Sequence, residues 1–320
     1  MQIVLAGSIA YDYKLNALGF FTDYVVLAQD KLLVGSVRLE SLHRMPGGNA
    51  GNIAHSLTLL GKPPIIVATV GRDFSEYHAS LKRRGIDTST ITWVEEESTA
   101  SCFIVADQAN REVHLYYPGA TVHAKKIRLH DLALESNSLV VITPSDSETM
   151  VHFMTEARAM GIPYLLDVGR VASQFETSQL ADAITHARIL VGTESEFAMI
   201  RQQQGVKFGI VEGVPIVVTT RGAEGSTISV QHHERIQIPA VTITESRDQS
   251  GAGDAYLAGF LFGLAQSFPL EVSGRIGSLM GAYAVEQTGC QTHVFTRTEF
   301  AQRYREVFGT IPLDLLQVLQ

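Results

Sequence analysis

Short apolar runs alternate along this chain with longer stretches in which apolar residues return at helical spacing, the pattern of strands and helices taking turns. Residues 3–5 read as the first strand, ending at Gly7-Ser8 with Asp12 soon after. A Gly-rich entry, Pro46-Gly47-Gly48-Asn49-Ala50-Gly51-Asn52, opens a helix through Ile53, Leu57 and Leu60 that stops at Gly61. Residues 65–70 form the next strand, and Gly71-Arg72-Asp73-Phe74 leads into a helix ending near Gly85. From Leu139 the rhythm is regular, with strands at 139–142, 164–167, 189–191 and 216–220 and helices at 148–160, 180–186 and 195–203. A short antiparallel excursion is predicted over 227–238, then helices over 255–265, within 271–288 and over 298–308. Strands separated by helices imply parallel pairing, right-handed crossovers and a sheet covered on both faces.

Two segments break that rhythm. Val37 and Leu39 alternate with Arg38 and Glu40, a strand with one wet face. Cys102-Phe103-Ile104-Val105, a polar turn from Asp107 to Asn110 and the run 113–117 read as a hairpin. These insertions predict a small β lid made of 13–45 and 100–117, set on an α/β body of 1–12, 46–99 and 118–320. An exposed face of such a sheet would need covering, which makes a homodimer through the lid an expectation.

At 320 residues and 45% hydrophobic, the chain can fill the core of one large α/β domain or two modest ones. A net charge of −8 argues against general affinity for nucleic acid or an anionic membrane. Cys102 and Cys290 stand far apart, so neither a disulfide framework nor a zinc cluster is indicated. No Lys or Arg precedes Lys14 and no apolar run approaches the roughly 20 residues of a membrane helix, so a cytoplasmic protein is expected.

The stretch richest in chemistry is Asp248-Gln249-Ser250-Gly251-Ala252-Gly253-Asp254, followed directly by an apolar helix. Small residues allow a tight turn, and the first N–H groups of a helix converge on an anion. A transferring phosphoryl group is such an anion, and Asp254 would stand beside it, placed to take a proton from an attacking hydroxyl. Taken singly, the same string is equally an N-cap behind a glycine turn. Asp12 beyond the first strand and Asn52 in the Gly-rich helix entry are candidates for holding substrate hydroxyls, or else a turn carboxylate and a cap. Glu196 within Gly192-Thr193-Glu194-Ser195-Glu196 suits Mg²⁺ near phosphates, or ordinary helix-dipole chemistry. Thr220, Gly222 and Gly225 end a strand with a flat backbone suited to a nucleotide, or form a plain turn.

Taken together and in this order, these motifs resemble the ribokinase-like (PfkB) family of carbohydrate and nucleoside kinases, over almost the whole chain. The resemblance implies a Rossmann-like three-layer α/β/α fold with a small β-sheet lid. It also implies Mg-ATP as phosphoryl donor, often with a monovalent cation such as K⁺ near the anion hole. On matching positions it makes Asp254 the general base, with the N–H groups of Gly251, Ala252 and Gly253 as the anion hole. Asp12, Gly47, Gly48 and Asn52 become acceptor-binding residues, while Thr220, Gly222, Gly225 and Gly289 (in Gly289-Cys290-Gln291) become nucleotide-binding ones. Glu196 becomes a Mg²⁺ ligand, directly or through water, and Asp248 a candidate ligand of the monovalent cation. Thr193 stands where the family has Asn, which leaves the metal and water network around Glu196 open.

Gly7-Ser8-Ile9-Ala10-Tyr11-Asp12, Tyr117-Pro118-Gly119-Ala120 and Gly289-Cys290-Gln291-Thr292-His293 look similar to bacterial adenosine-kinase-like members, so the first acceptor expected is adenosine, giving AMP. Lid aromatics (Phe20, Phe21, Tyr24, Phe103, Tyr116, Tyr117) offer rings for a base, and equally form the lid's own core. A free sugar such as ribose is the alternative acceptor. A ligand-binding regulator that lost its chemistry is the rival of another class, and the intact Asp254 turn argues against it. A dehydrogenase is disfavoured because Gly7-Ser8 lacks the full G-x-G-x-x-G after the first strand.

Overall fold

Strand β1 (Ile3–Ala6) lies where two hydrophobic cores meet: Ile3 and Leu5 point into one, Val4 and Ala6 into the other. A strand buried on both faces must be apolar at every position, and this one is. In the computed structural model, which describes all residues except 29, 30, 35, 110, 203–208 and 320, the chain then leaves β1 for β2 (Ala10–Ala17), a single turn α1 (Phe21–Tyr24), a hairpin β3 (Val25–Ala28) and β4 (Lys31–Val34), and β5 (Leu39–Gly47). Next come α2 (Asn49–Leu59), β6 (Ile65–Gly71), α3 (Ser75–Arg83), β7 (Ile91–Val94), β8 (Ala100–Ala106) and β9 (Glu112–Tyr117). The regular half follows as β10 (Leu139–Ile142), α4 (Ser147–Ala159), β11 (Tyr164–Asp167), α5 (Thr177–Thr185), β12 (Ile189–Thr193), α6 (Glu194–Gln202) and β13 (Ile216–Thr220). β14 (Ser226–Val230), β15 (Ile236–Ile238), α7 (Ala252–Ala265), α8 (Leu270–Val285), α9 (Arg297–Phe308) and α10 (Leu313–Leu319) complete the chain.

The body is a nine-stranded sheet in the order β15-β14-β13-β12-β11-β10-β1-β6-β7. Its pairs are parallel from β13 through to β7, and the β13–β14–β15 edge is antiparallel. Ile53 and Leu57 of α2, Leu257 and Phe260 of α7 and Leu279 of α8 fill the core on one face. Phe153 of α4, Ile184 of α5 and Phe197 of α6 fill the other, giving three layers. A second, four-stranded sheet, β5-β2-β8-β9, stands off the body as the lid. Among the described residues no helix is long and apolar enough to cross a membrane.

Three details differ from the sequence reading. Asp12 does not follow β1 as a turn residue; it lies inside β2, whose Asp12, Lys14 and Asn16 share one face while Tyr11, Tyr13 and Leu15 share the other. The strand expected around Val37 and Leu39 begins only at Leu39 and runs on to Gly47, because its partner β2 supplies hydrogen bonds that far. β7 and α10 have no counterpart in the sequence pattern: each is short, and each is held by tertiary neighbours rather than by its own periodicity. Asn110 and Gln203, expected in a turn and at the end of a helix, lie outside the described residues.

Candidate active site

The candidate site lies at the carboxyl ends of the parallel strands, between the body and the inner face of the lid. Gly251 enters α7 in the left-handed region (φ 75°), a backbone that costs an L-residue with a side chain roughly 1–2 kcal/mol. No side chain caps this helix. Of the three amides expected in the anion hole, that of Ala252 is spent on the Gln249 carbonyl, 3.3 Å away. Those of Gly251 and Gly253 find no acceptor among the described residues, nor does the neighbouring amide of Asp254, and a β-carbon on Gly253 would meet nothing within 4 Å. The helix mouth is therefore open, with donors aimed outward.

Asp254 occupies the first turn. Asn49 Nδ2 donates to its Oδ1 at 2.9 Å, and Asn52 Nδ2 to its Oδ2 at 2.8 Å. Burial nevertheless pushes the carboxyl up to about 6; the two amides oppose that rise and the charge on Asp12 adds to it. Asn52, expected to hold a substrate hydroxyl, has both ends of its amide engaged, because its Oδ1 accepts from Gln291 Nε2 at 2.9 Å. Sequence reasoning gives Asn49 no role beyond the Gly-rich motif. Its spacing from Asn52, three residues on one helix, is the signal that both amides face one point.

Asp12 hangs from β2 into the same cleft and accepts the Cys290 thiol at 3.5 Å. Burial lifts its carboxyl to about 6 as well. Gly47 is bare because a β-carbon there would stand 2.3 Å from the Asp12 carboxylate, and Gly48 (φ 81°) because one would strike the Ser8 carbonyl. The inner face of the lid carries the cross-strand row Met45, Asp12, Cys102 and Tyr116. Phe103 belongs to the other face, where it stacks on Tyr13 with centroids 4.7 Å apart.

Asp248 sits at the base of the anion-hole turn. Ser250 N donates to its Oδ1 and Gly289 N to its Oδ2, each at 2.9 Å. Lys14, reaching in from the lid, makes an ion pair with the same carboxylate. Burial alone would raise Asp248, but the bonds from Lys14, Ser250 and Gly289 leave it below the usual carboxylate range. The position expected to take a monovalent cation thus already faces an ammonium, and the amide of Gly289 is turned to Asp248.

Thr193 and Glu196 form a reciprocal cap on α6: Thr193 N donates to Glu196 Oε2 at 2.7 Å and Glu196 N to Thr193 Oγ1 at 3.2 Å. Asp167, which the sequence marks only as the end of β11, is a further acid whose carboxyl is raised. Burial and the charges of Glu196 and Asp254 all push its proton affinity well above normal. Hard oxygen ligands crowded this way suit Mg²⁺, which takes one or two carboxylates and completes its shell with water and phosphate. Among the described residues no group of three or more His, Cys, Asp or Glu side chains is placed to hold a metal. On the adjacent strand, Thr220 ends β13 beside Thr193. Gly222 has open space around its α-carbon, whereas Gly225 is dictated by packing, a β-carbon there falling 2.1 Å from the Ile238 carbonyl.

The chain is similar to known proteins over most of its length. The profile of the pfkB family carbohydrate kinases matches residues 9–297. A nucleoside kinase of Methanothermobacter thermautotrophicus is 31% identical over 315 residues, 97% of this chain and 98% of that one. A ribokinase of Haemophilus influenzae is 25% identical over 267 residues, 79% of this chain and 85% of that one. The structure of Burkholderia thailandensis nucleoside kinase in complex with inosine superposes with a TM-score of 0.87 at 28% identity, covering 97% of this chain and 99% of that one.

Proposed function

The chain belongs to the pfkB family of carbohydrate kinases, and on that premise we propose that it transfers the γ-phosphoryl group of ATP to the primary hydroxyl of a nucleoside, with adenosine as the first acceptor to test. The observation that carries this reading is Asp254, an acid held by two amides beside a helix mouth with unspent N–H groups. A carboxyl lifted to about 6 is ionised at neutral pH yet basic enough to accept a proton. Asp254 takes the acceptor's hydroxyl proton as that oxygen attacks phosphorus in line and the bond to the ADP oxygen breaks. The amides of Gly251, Gly253 and Asp254 hold the charge on the transferring group. Asp12 accepts from a ribose hydroxyl, and Tyr116, on the same face of the lid, offers its ring to the base. Thr220 and Gly222 border the path of the nucleotide. Asp167 and Glu196 would hold Mg²⁺, which when bound supplies positive charge to the phosphate oxygens. Lys14 supplies Asp248 with a counter-charge where K⁺ was expected. Closing the lid excludes water, so that ATP is not spent on hydrolysis.

Near-full-length likeness to nucleoside kinases favours a nucleoside over a free sugar. A homodimer through the lid is supported by the lid's outer face, where Leu42, Val113 and Leu115 stand 58%, 46% and 56% exposed.

The test is ADP release from Mg-ATP with adenosine, inosine, other nucleosides, ribose or no acceptor, with Asp254→Asn alongside. Turnover with a nucleoside, reduced about 10²–10⁴-fold in the variant while ATP affinity holds, is the expected result. Preference for ribose would move the reading to a sugar kinase, and a variant with near-normal kcat would remove Asp254 as base.

A further inference from the structure

Behind Asp254 runs a line of hydrogen bonds that crosses four elements and ends on a cation. Arg84, the residue that closes α3, donates from Nη1 to Gln291 Oε1 at 3.0 Å. Gln291 Nε2 donates to Asn52 Oδ1 at 2.9 Å and to the Tyr77 hydroxyl at 2.5 Å. Tyr77 passes its own proton to the Gly47 carbonyl at 2.9 Å, and Asn52 Nδ2 reaches Asp254.

We propose that Arg84 and Gln291 are positioning residues for Asp254, which set the Asn52 amide so that its N–H rather than its carbonyl faces the carboxylate. The inference rests on the reading of Asp254 as the base. A guanidinium has donors and no acceptor, so Gln291 can offer Arg84 only its oxygen. Its nitrogen then points the other way, and Asn52 can meet that nitrogen only with Oδ1. Reversing either amide would set donor against donor or acceptor against acceptor in a buried place. The direction of the line is therefore imposed at its outer end, about as far from the chemistry as it reaches.

Three further observations fit this role and not mere packing. Arg84 pairs with no carboxylate among the described residues; its other partner is His55 Nδ1, at 3.3 Å. His55 must then be neutral, its Nε2–H donating to the His293 carbonyl at 2.9 Å, and burial, with Arg84 adding to it, pushes its pKa down to about 4. Gly51 leaves the space: a β-carbon there would lie 2.2 Å from the Tyr77 hydroxyl and 3.0 Å from Gln291 Nε2. The line is thus built into the Gly-rich motif itself.

The charged and titratable groups facing Asp254 from its neighbours are Asp12 on β2, Asp167 on β11 and Cys290 beside Gln291. Gln291→Met changes none of these charges; it removes the whole amide, both the donor to Asn52 and Tyr77 and the acceptor for Arg84. The Asp254 carboxyl is followed in full-length protein by carbon-detected NMR titration with ¹³C-labelled aspartate, its signal assigned by loss in Asp254→Asn. The midpoint is expected to rise by about one pH unit in Gln291→Met, because a donor to the ionised form is lost. It is expected to stay at the parent value in Arg84→Lys, which keeps a donor and a charge. In parallel, kcat with Mg-ATP and inosine should fall about 10- to 100-fold in Gln291→Met and Arg84→Met with KM for ATP little changed, and recover in Arg84→Lys. An unchanged midpoint in Gln291→Met overturns the inference, whether or not its melting temperature drops. If Gln291→Met does not fold, Arg84→Met, altered at a half-buried position, decides in its place, and an unchanged midpoint there overturns the inference equally. Normal kcat in Asp254→Asn would instead sink the base, and the titration would still report the amide's orientation.

Discussion

Gly253 is exposed, and a β-carbon added to it would meet no heavy atom within 4 Å, which separates folding from ligand approach at a single position. Gly253→Ala should leave the melting temperature unchanged, because an alanine in a first helical turn is unstrained. It should lower kcat by about tenfold or more, since the new methyl would stand over the amides that receive the phosphoryl group. Calorimetry beside steady-state rates checks both halves, and a lowered melting temperature would show that the space is not free. At Asp254 and Asp12 the consequence is one of pH. Each carboxyl is raised, and each must be ionised to accept a hydrogen. kcat/KM is therefore full only from about one unit above pH 6 and falls as pH drops through that value, and a profile flat down to about pH 4.5 would contradict the assignment. The sequence reveals these two acids through their place after small residues and strands. It does not reveal Asp167, because nothing local marks a strand-end carboxylate as lying among other carboxylates from two separate elements.

At the level of the element, Glu196 carries two roles that a substitution can separate. Its side chain completes the Thr193–Glu196 cap, and glutamine can do that as well as glutamate. Its charge faces Asp167, and glutamine cannot replace that. Glu196→Gln should keep the parent melting temperature while raising the Mg²⁺ concentration needed for half-maximal rate. Glu196→Ala should lose both, with a stability cost of about 1 kcal/mol. If Glu196→Gln shows parent Mg²⁺ dependence, the residue is a cap and nothing more. This cap also accounts for Thr193, which by its hydroxyl serves the helix as an asparagine would. Most elements are legible in the sequence because each carries its own periodicity. β2 escapes that reading although its alternation is plain, since Asp12, Lys14 and Asn16 put the polar side toward the cleft and the apolar side outward. A strand whose wet face is the inner one looks inverted until its partner sheet is known.

Across the whole molecule, the outer face of the lid presents Leu42, Val113, Leu115 and Tyr117 as exposed apolar positions, on the face whose Tyr11 and Tyr13 pack against the body. Leu115→Glu should convert a dimer to a monomer in sedimentation or light scattering, while a parent already monomeric would refute the lid-mediated dimer. The manner in which this sheet joins the body has a mechanical consequence. β2 leaves β1 after three residues, β5 runs into α2 through Gly48 alone, and β9 meets the body again at Pro118-Gly119. The roots of the four strands, Ala10, Gly47, Ala100 and Tyr117, fall in nearly one cross-strand row. A plate fixed along a line keeps one easy motion, rotation about that line, and resists sliding and twisting. Lys14 lies four residues beyond the axis, on the face that turns toward Asp248, an arm of about 13 Å, so a swing of roughly ten degrees displaces it by about 2 Å, enough to make or break its ion pair.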